Sequence, residues 1–120
     1  MKALSIKQPY AELILQGKKK IELRKWNTSL RGEFYVHSSR IPDKVAMEKF
    51  EFNELLFGFI VGKVTLTNVK KYNNETEHKK DNNLHLASSI WGSYGFVLEK
   101  PERIKPISYK GQLNFFEVKL

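Results

Sequence analysis

Cysteine is absent from this 120-residue chain. No disulfide framework, thiolate-bound metal or thiol nucleophile can therefore be built from it. Long apolar runs are missing too: no stretch approaches the ~18 consecutive apolar residues expected of a membrane span. The opening MKALSIKQPYAEL has neither the apolar centre nor the cleavage site of a secretory leader, so no membrane partner is expected and the cytoplasm is the default compartment. Proline (4) and glycine (7) are too few and too scattered to form a linker, and no segment repeats another. One domain spanning residues 1–120 is expected, long enough to bury roughly two-thirds of its unfolded surface.

What the chain does have is positive charge. Lysine and arginine (21) outnumber aspartate and glutamate (13), leaving a net charge of +8. The basic residues are spread along the chain and form no tail. Such a surface serves solubility, and it also suits a polyanionic partner, because each cation that neutralises a phosphate releases a condensed counterion.

The hydrophobic periodicity places the elements. ALSI near the start is strand-like, and QPYAELILQGKK carries a helix. Pro9 suits its first position, Tyr10, Leu13 and Ile14 share its inner face, and Gly17 stops it. Strands follow at KIELRKW and GEFYVHSS, separated by the turn-like NTSLRG. A second helix starts at Pro42, with Val45, Ala46 and Phe50 as its inner residues. FGFIVGKVTLTNV is a long strand in which Gly62 marks a bulge or bend. The polar YNNETEHKKDNN, which includes Asn73 to Asn83, is expected to be a mobile loop. YGFVLEK and GQLNFFEVKL are the last strands, joined by PERIKPISYK. Two helices with five or six mostly antiparallel strands predict an α+β fold around a small curled sheet or β-barrel with flanking helices.

The unusual stretch is GKKKIELRKW, residues 17–26. As a strand, its side chains alternate, so Ile21 and Leu23 face one way and Glu22, Arg24 and Trp26 the other. On an open sheet the polar row is a solvated ladder of ion pairs. In a curled sheet beside a helix end, the same row lines a cleft with Lys19 at its mouth. Acting as a base near pH 7, a lysine needs its pKa depressed by about three units, roughly 4 kcal/mol. Glu22 opposes that depression if it pairs with Lys19, and Arg24 competes for the same carboxylate. The choice lies between a base and a permanently charged anion clamp.

GKKKIELR fits the pattern Gly-x-Lys-x-x-Glu-x-Arg and follows LSIKQPYAELIL, with GEFYVHSS and YGFVLEKPERIKPISYKGQLNFFEV downstream. In this order the chain resembles the ASCH domain family, relatives of the PUA-like RNA-binding folds. The likeness covers nearly the whole chain and is weakest from Asn53 to Ser93. It implies a PUA-like small barrel whose helix-flanked cleft holds RNA or a nucleotide, with Lys19, Glu22 and Arg24 at that cleft. Some small members hydrolyse acetylated cytidine with the motif lysine, a threonine at the glutamate position and a separate glutamate. This chain has Glu22 there and lacks that hydroxyl. The expected function is accordingly an RNA- or nucleotide-binding module. The alternatives are a modified-nucleoside amidohydrolase or a ribonuclease with Lys19 and Glu22 as its catalytic pair, and a protein-interaction domain.

Trp26 suits base stacking or a core plug. Gln8 offers an amide to a base edge. Tyr94 either closes the cleft or packs in the core. His37 either lines the site or is a hydrogen-bonded structural histidine. His78 and His85 lack metal-ligand spacing, no Ser-His-acid spacing stands out, and no metal or cofactor is expected.

Overall fold

A computed structural model describes residues 1–120. Six strands run as β1 (Lys2–Ile6), β2 (Ile21–Arg24), β3 (Gly32–Ser38), β4 (Phe59–Lys71), β5 (Tyr94–Ser108) and β6 (Phe115–Glu117). They form one mixed sheet in the order β2-β5-β4-β3-β1-β6, with β1 and β3 parallel and every other pair antiparallel. The register of β4 against β5 slips at three places, and each slip bends the sheet further into a half-barrel. One slip falls at Gly62, where an added Cβ would lie 2.5 Å from a Leu15 methyl and 2.6 Å from the Glu102 carbonyl. The residue expected to mark a bend thus also lets helix α1 (Tyr10–Leu15) settle into the concave face. Leu13, Ile14 and Leu15 of that helix pack there with Phe34, Val64, Leu66 and Phe96. Burying each such side chain is worth about 1.5–3 kcal/mol.

The half-barrel stays open between β2 and β6, so side chains close the seam. Trp26 meets Phe115 edge-on with ring centroids 5.8 Å apart, and Phe115 stacks on Phe96 at 6.2 Å. Arg24 reaches across to donate to the Ser5 carbonyl of β1 at 2.8 Å.

Several expectations need correction. The polar segment after Tyr72 is helical, forming α3 (Glu75–Lys80) and α4 (Asn82–His85). Asn74 caps α3 by accepting the Glu77 amide at 2.9 Å, and the Glu77 carboxylate returns to the Asn73 amide at 2.8 Å. Those paired bonds satisfy the first-turn donors and hold a hydrophilic sequence in a helix. PERIKPISYK is mostly strand: β5 continues through Pro101 and Pro106 because β2 pairs only with Tyr94 to Val97, leaving a free edge that tolerates missing amides. The last strand is shorter than its apolar pattern suggested, and Gln112 to Asn114 form a loop whose Asn114 adopts φ 58°. Helix α2 (Lys44–Lys49) buries Ala46, whereas Val45, one residue or ~100° round the helix, is 79% exposed. No helix is long and apolar enough to cross a membrane.

Candidate functional site

The turn from α1 into β2 sets the site. Gly17 takes φ +77°, and the amides of both Lys18 and Lys19 donate to the Leu13 carbonyl at 3.0 Å. The chain reverses tightly here. Lys18 and Lys20 are left exposed, while Lys19 is turned inward and is only 2% exposed. Lys20 is clamped by its backbone, its amide on the Leu84 carbonyl at 2.7 Å and its carbonyl on the Leu98 amide at 2.9 Å. Strand alternation then does as expected: Ile21 and Leu23 pack with Tyr72 and Leu84 beneath the α3–α4 segment, and Glu22 and Arg24 point to the other face.

Glu22 holds both cations at once. One carboxylate oxygen lies 3.6 Å from the Lys19 ammonium, and the other accepts from Arg24 at 2.9 Å. The alternatives weighed from the sequence are not exclusive, because the carboxylate has a lone-pair edge for each. Lys19 also donates to the His85 carbonyl and sits 4.7 Å over the Tyr10 ring. Arg24 divides one nitrogen between Glu22 and the Ser5 carbonyl, while its Nε is buried without a partner. Removal from water pushes the Lys19 ammonium below the ordinary lysine range; Glu22 opposes this, and Arg24 adds to it. Burial, with Asp43 next in weight, raises the Tyr10 phenol well above its ordinary value, so Tyr10 stays neutral and donates to Asp43 at 3.3 Å.

Above these three residues lies a cavity of about 410 Å³, a volume typical of small-ligand sites. Lys19, Glu22 and Arg24 line its polar side. Tyr10, Trp26 and Trp91 form aromatic walls, and Lys7 and Lys25 bring positive charge to it. Tyr10 and Trp91 meet edge-on at 6.3 Å, so this wall is a braced pair. Ser5, Ser39, Gln112 and Asn114 add neutral polar groups. The cavity therefore sits on the unclosed seam, where β2 faces β1 and the loop before β6.

Four of the expected site residues meet there: Lys19, Glu22, Arg24 and Trp26. Three do not. Gln8 spends its amide on the fold, donating to the Leu56 carbonyl at 3.1 Å and accepting from the Glu12 amide at 2.9 Å. His37 is buried between the Ser5 hydroxyl at 2.5 Å and the Tyr109 carbonyl at 2.7 Å, and burial lowers its pKa. Tyr94 is the ladder partner of Arg24 but lines a different concavity. Residues that the sequence did not single out for the site include Tyr10 and Trp91. Tyr10 belongs to the apolar face of α1, and helical periodicity cannot separate a core tyrosine from a cavity wall. Trp91 lies in a single 3₁₀ turn, Ser89–Trp91, whose only local signal is the capping Ser88.

The model of the ASCH domain matches residues 4–114. Among solved structures, an ASCH protein from Zymomonas mobilis superimposes with a TM-score of 0.71 at 14% identity, covering 98% of this chain and 87% of that one. Two single-substitution variants of the Zymomonas protein give TM-scores of 0.73 and 0.70 at 14% and 15% identity, each covering 98% of this chain and 87% and 89% of theirs. At such identities the likeness is one of fold. No curated protein matches the chain.

Proposed function

Since the chain belongs to the ASCH domain family, which is generally described as RNA-binding, we propose that the seam cavity receives one nucleotide of an RNA. The observation that carries this reading is the fixed Lys19–Glu22–Arg24 group beside a cavity walled by aromatic rings. Glu22, held from both sides, offers a stationary acceptor to a base N–H. Arg24 brings guanidinium donors beside it, and an adjacent acceptor and donor suit the edge of a nucleobase. Trp26 and Trp91 supply surfaces for stacking, worth roughly 1–3 kcal/mol per base. Lys7 and Lys25 are placed to meet the attached phosphate.

Titration of the tryptophan fluorescence with each ribonucleoside 5′-monophosphate tests this directly. Saturable binding that weakens as salt is raised is expected, because phosphate contacts release counterions. Binding that is insensitive to salt would instead favour a protein-interaction domain.

One observation favours a hydrolytic reading: a lysine with a lowered pKa stands 3.6 Å from a carboxylate. Against it, the Lys19 ammonium is already taken up by the His85 carbonyl, Glu22 and the Tyr10 ring. Incubation with acetylcytidine and with structured RNA decides the matter. Turnover lost in both Lys19→Ala and Glu22→Gln would replace the binding reading with the enzymatic one.

A further inference from the structure

A second concavity, of about 460 Å³, is lined by Asn27, Thr28, Arg31, Lys71 and Tyr94 among others, with no carboxylate in its wall. It is not remote from the seam cavity. Lys25 and Trp26 belong to the wall of the first, and Asn27, the next residue, belongs to the second. Consecutive Cα atoms lie ~3.8 Å apart, so one short piece of chain separates the two mouths.

Arg31, just before β3, and Lys71, at the end of β4, differ from three nearby cations of the sheet. Lys63 pairs with Glu33 and Glu102, Lys70 with Asp81, and Arg103 with Glu12. Arg31 and Lys71 have no acidic partner and bond to neutral groups instead. Arg31 is tied through Nη1 to the carbonyls of Thr28 at 3.0 Å and Leu30 at 2.8 Å, which leaves its remaining guanidinium donors for a ligand. The Lys71 ammonium donates to the Ser93 hydroxyl at 3.1 Å and lies 4.2 Å over the Tyr94 ring. Cations held in place and left without counter-charge lose little freedom on meeting an anion. Because Lys71 already covers the ring, the shelf suits a phosphate better than a stacked base.

We propose that the ligand is a single RNA strand, and that its phosphodiester backbone leaves the seam cavity across the loop after Trp26 to lie against Arg31 and Lys71. This rests on the reading of the seam cavity as a nucleotide site and extends it from one nucleotide to a strand.

The test compares the intact chain with the Arg31→Ala, Lys71→Ala double variant. The probes are the four ribonucleoside 5′-monophosphates, the pentanucleotides of adenosine, cytidine and uridine, and hexaglutamate as a competitor. The best pentanucleotide should bind the unaltered protein at least about tenfold more tightly than its monophosphate. The double variant should lose about that tenfold and reduce the slope of log K against log salt by roughly 1.4, or 0.7 for each phosphate contact. Its monophosphate binding should be unchanged, which also shows that it is folded. Equal pentanucleotide affinity and salt slope in the two proteins would overturn the strand proposal and leave the nucleotide cavity intact. So would hexaglutamate displacing RNA as well as unlabelled RNA does, since the shelf would then be a general anion patch. If neither monophosphates nor pentanucleotides bind, both readings fall together.

Discussion

Two buried polar groups lie back to back in this protein and meet at one atom. In the first, Lys19, Glu22 and Arg24 face the seam cavity. In the second, His78 of α3, Asp81 and His85 of α4 gather around Tyr72, and the His85 carbonyl receives the Lys19 ammonium. The first sets one carboxylate between two basic side chains. The second keeps its histidines buried without any carboxylate bonded to a ring. His85 accepts the Ala87 amide on Nδ1 at 3.1 Å and so carries its proton on Nε2, donated to the His78 carbonyl at 2.8 Å. A second proton has no place to go without breaking the Ala87 bond. The His78 ring lies 4.1 Å away, with its own Nε2 buried and unpartnered. The difference teaches that burial is offset here in two ways, by sharing one carboxylate between two basic groups beside a cavity and by locking an uncharged tautomer inside the fold.

The largest effect should come from breaking the first group. Glu22→Ala leaves Lys19 and Arg24 facing each other without their shared anion, and breaking a buried pair typically costs about 3–5 kcal/mol. Urea unfolding should show a loss of that order. A change within the scatter of surface substitutions would mean that water reaches the group freely and the contrast with the histidines is unreal.

Lys19→Ala separates the ligand contribution from the structural one. Nucleotide affinity should fall by roughly 1–3 kcal/mol, because Glu22 loses one of the two cations that fix it as an acceptor for the base. Stability should fall less than in Glu22→Ala, because Glu22 keeps Arg24. Lys18→Ala and Lys20→Ala, both exposed, should stay within about 0.5 kcal/mol in stability. Equal binding losses from Lys18 and Lys19 would describe a diffuse basic patch in place of a defined site.

The buried histidines His85, of the second group, and His37, on β3, should respond to acid instead. Burial is the main cause lowering His85, and the same holds for His37. Their folded pKa values therefore lie below the unfolded value near 6.5. As pH falls through ~6.5 the unfolded chain takes up protons that the folded chain refuses, so stability is present above that pH and declines below it. Unfolding curves at pH 8, 7, 6 and 5 should show a flat region followed by a decline. A midpoint that holds steady from pH 7 to 5 would show that both rings accept a proton in place.

A smaller effect than the loss of Glu22 concerns α3, which carries His78. Asn74→Ala removes the cap of α3 and should cost about 1 kcal/mol, within the usual 0.5–2. Amide hydrogen exchange should rise along Glu75 to Lys80 and leave β2 unchanged. Faster exchange at Ile21 to Arg24 as well would show that the two groups open as one unit.

The two regions also differ in how readable they are. Around β2 the signals are local: a period of two, a glycine stop and a proline start. Alternation alone separates Ile21 and Leu23 from Glu22 and Arg24. The α3 segment had a local signal too, Asn74 three residues before Glu77, but its buried face is a histidine and not a leucine, so hydrophobic periodicity passes over it. Gln8, His37 and Tyr94 were reasonable candidates by residue type. Whether an amide or a ring faces a ligand or a backbone carbonyl depends on partners distant in the chain. His37 meets Tyr109 72 positions away, and Gln8 meets Leu56 48 away.

From its sequence this protein is already committed to a basic surface, to a tight reversal at Gly17 and to the row of Glu22 and Arg24 on one side of β2. These depend on net charge, on backbone conformations open to glycine and on strand alternation, all properties of neighbouring residues. Only the tertiary structure decides that Lys19 is the buried lysine of three, that the row overlooks a seam and that aromatic rings from α1 and the turn at Trp91 wall it. Those outcomes depend on which distant surfaces exclude water together. That is set by the curl of the sheet, the packing of α1 against Gly62 and the carbonyl of His85, 66 residues further along the chain from Lys19.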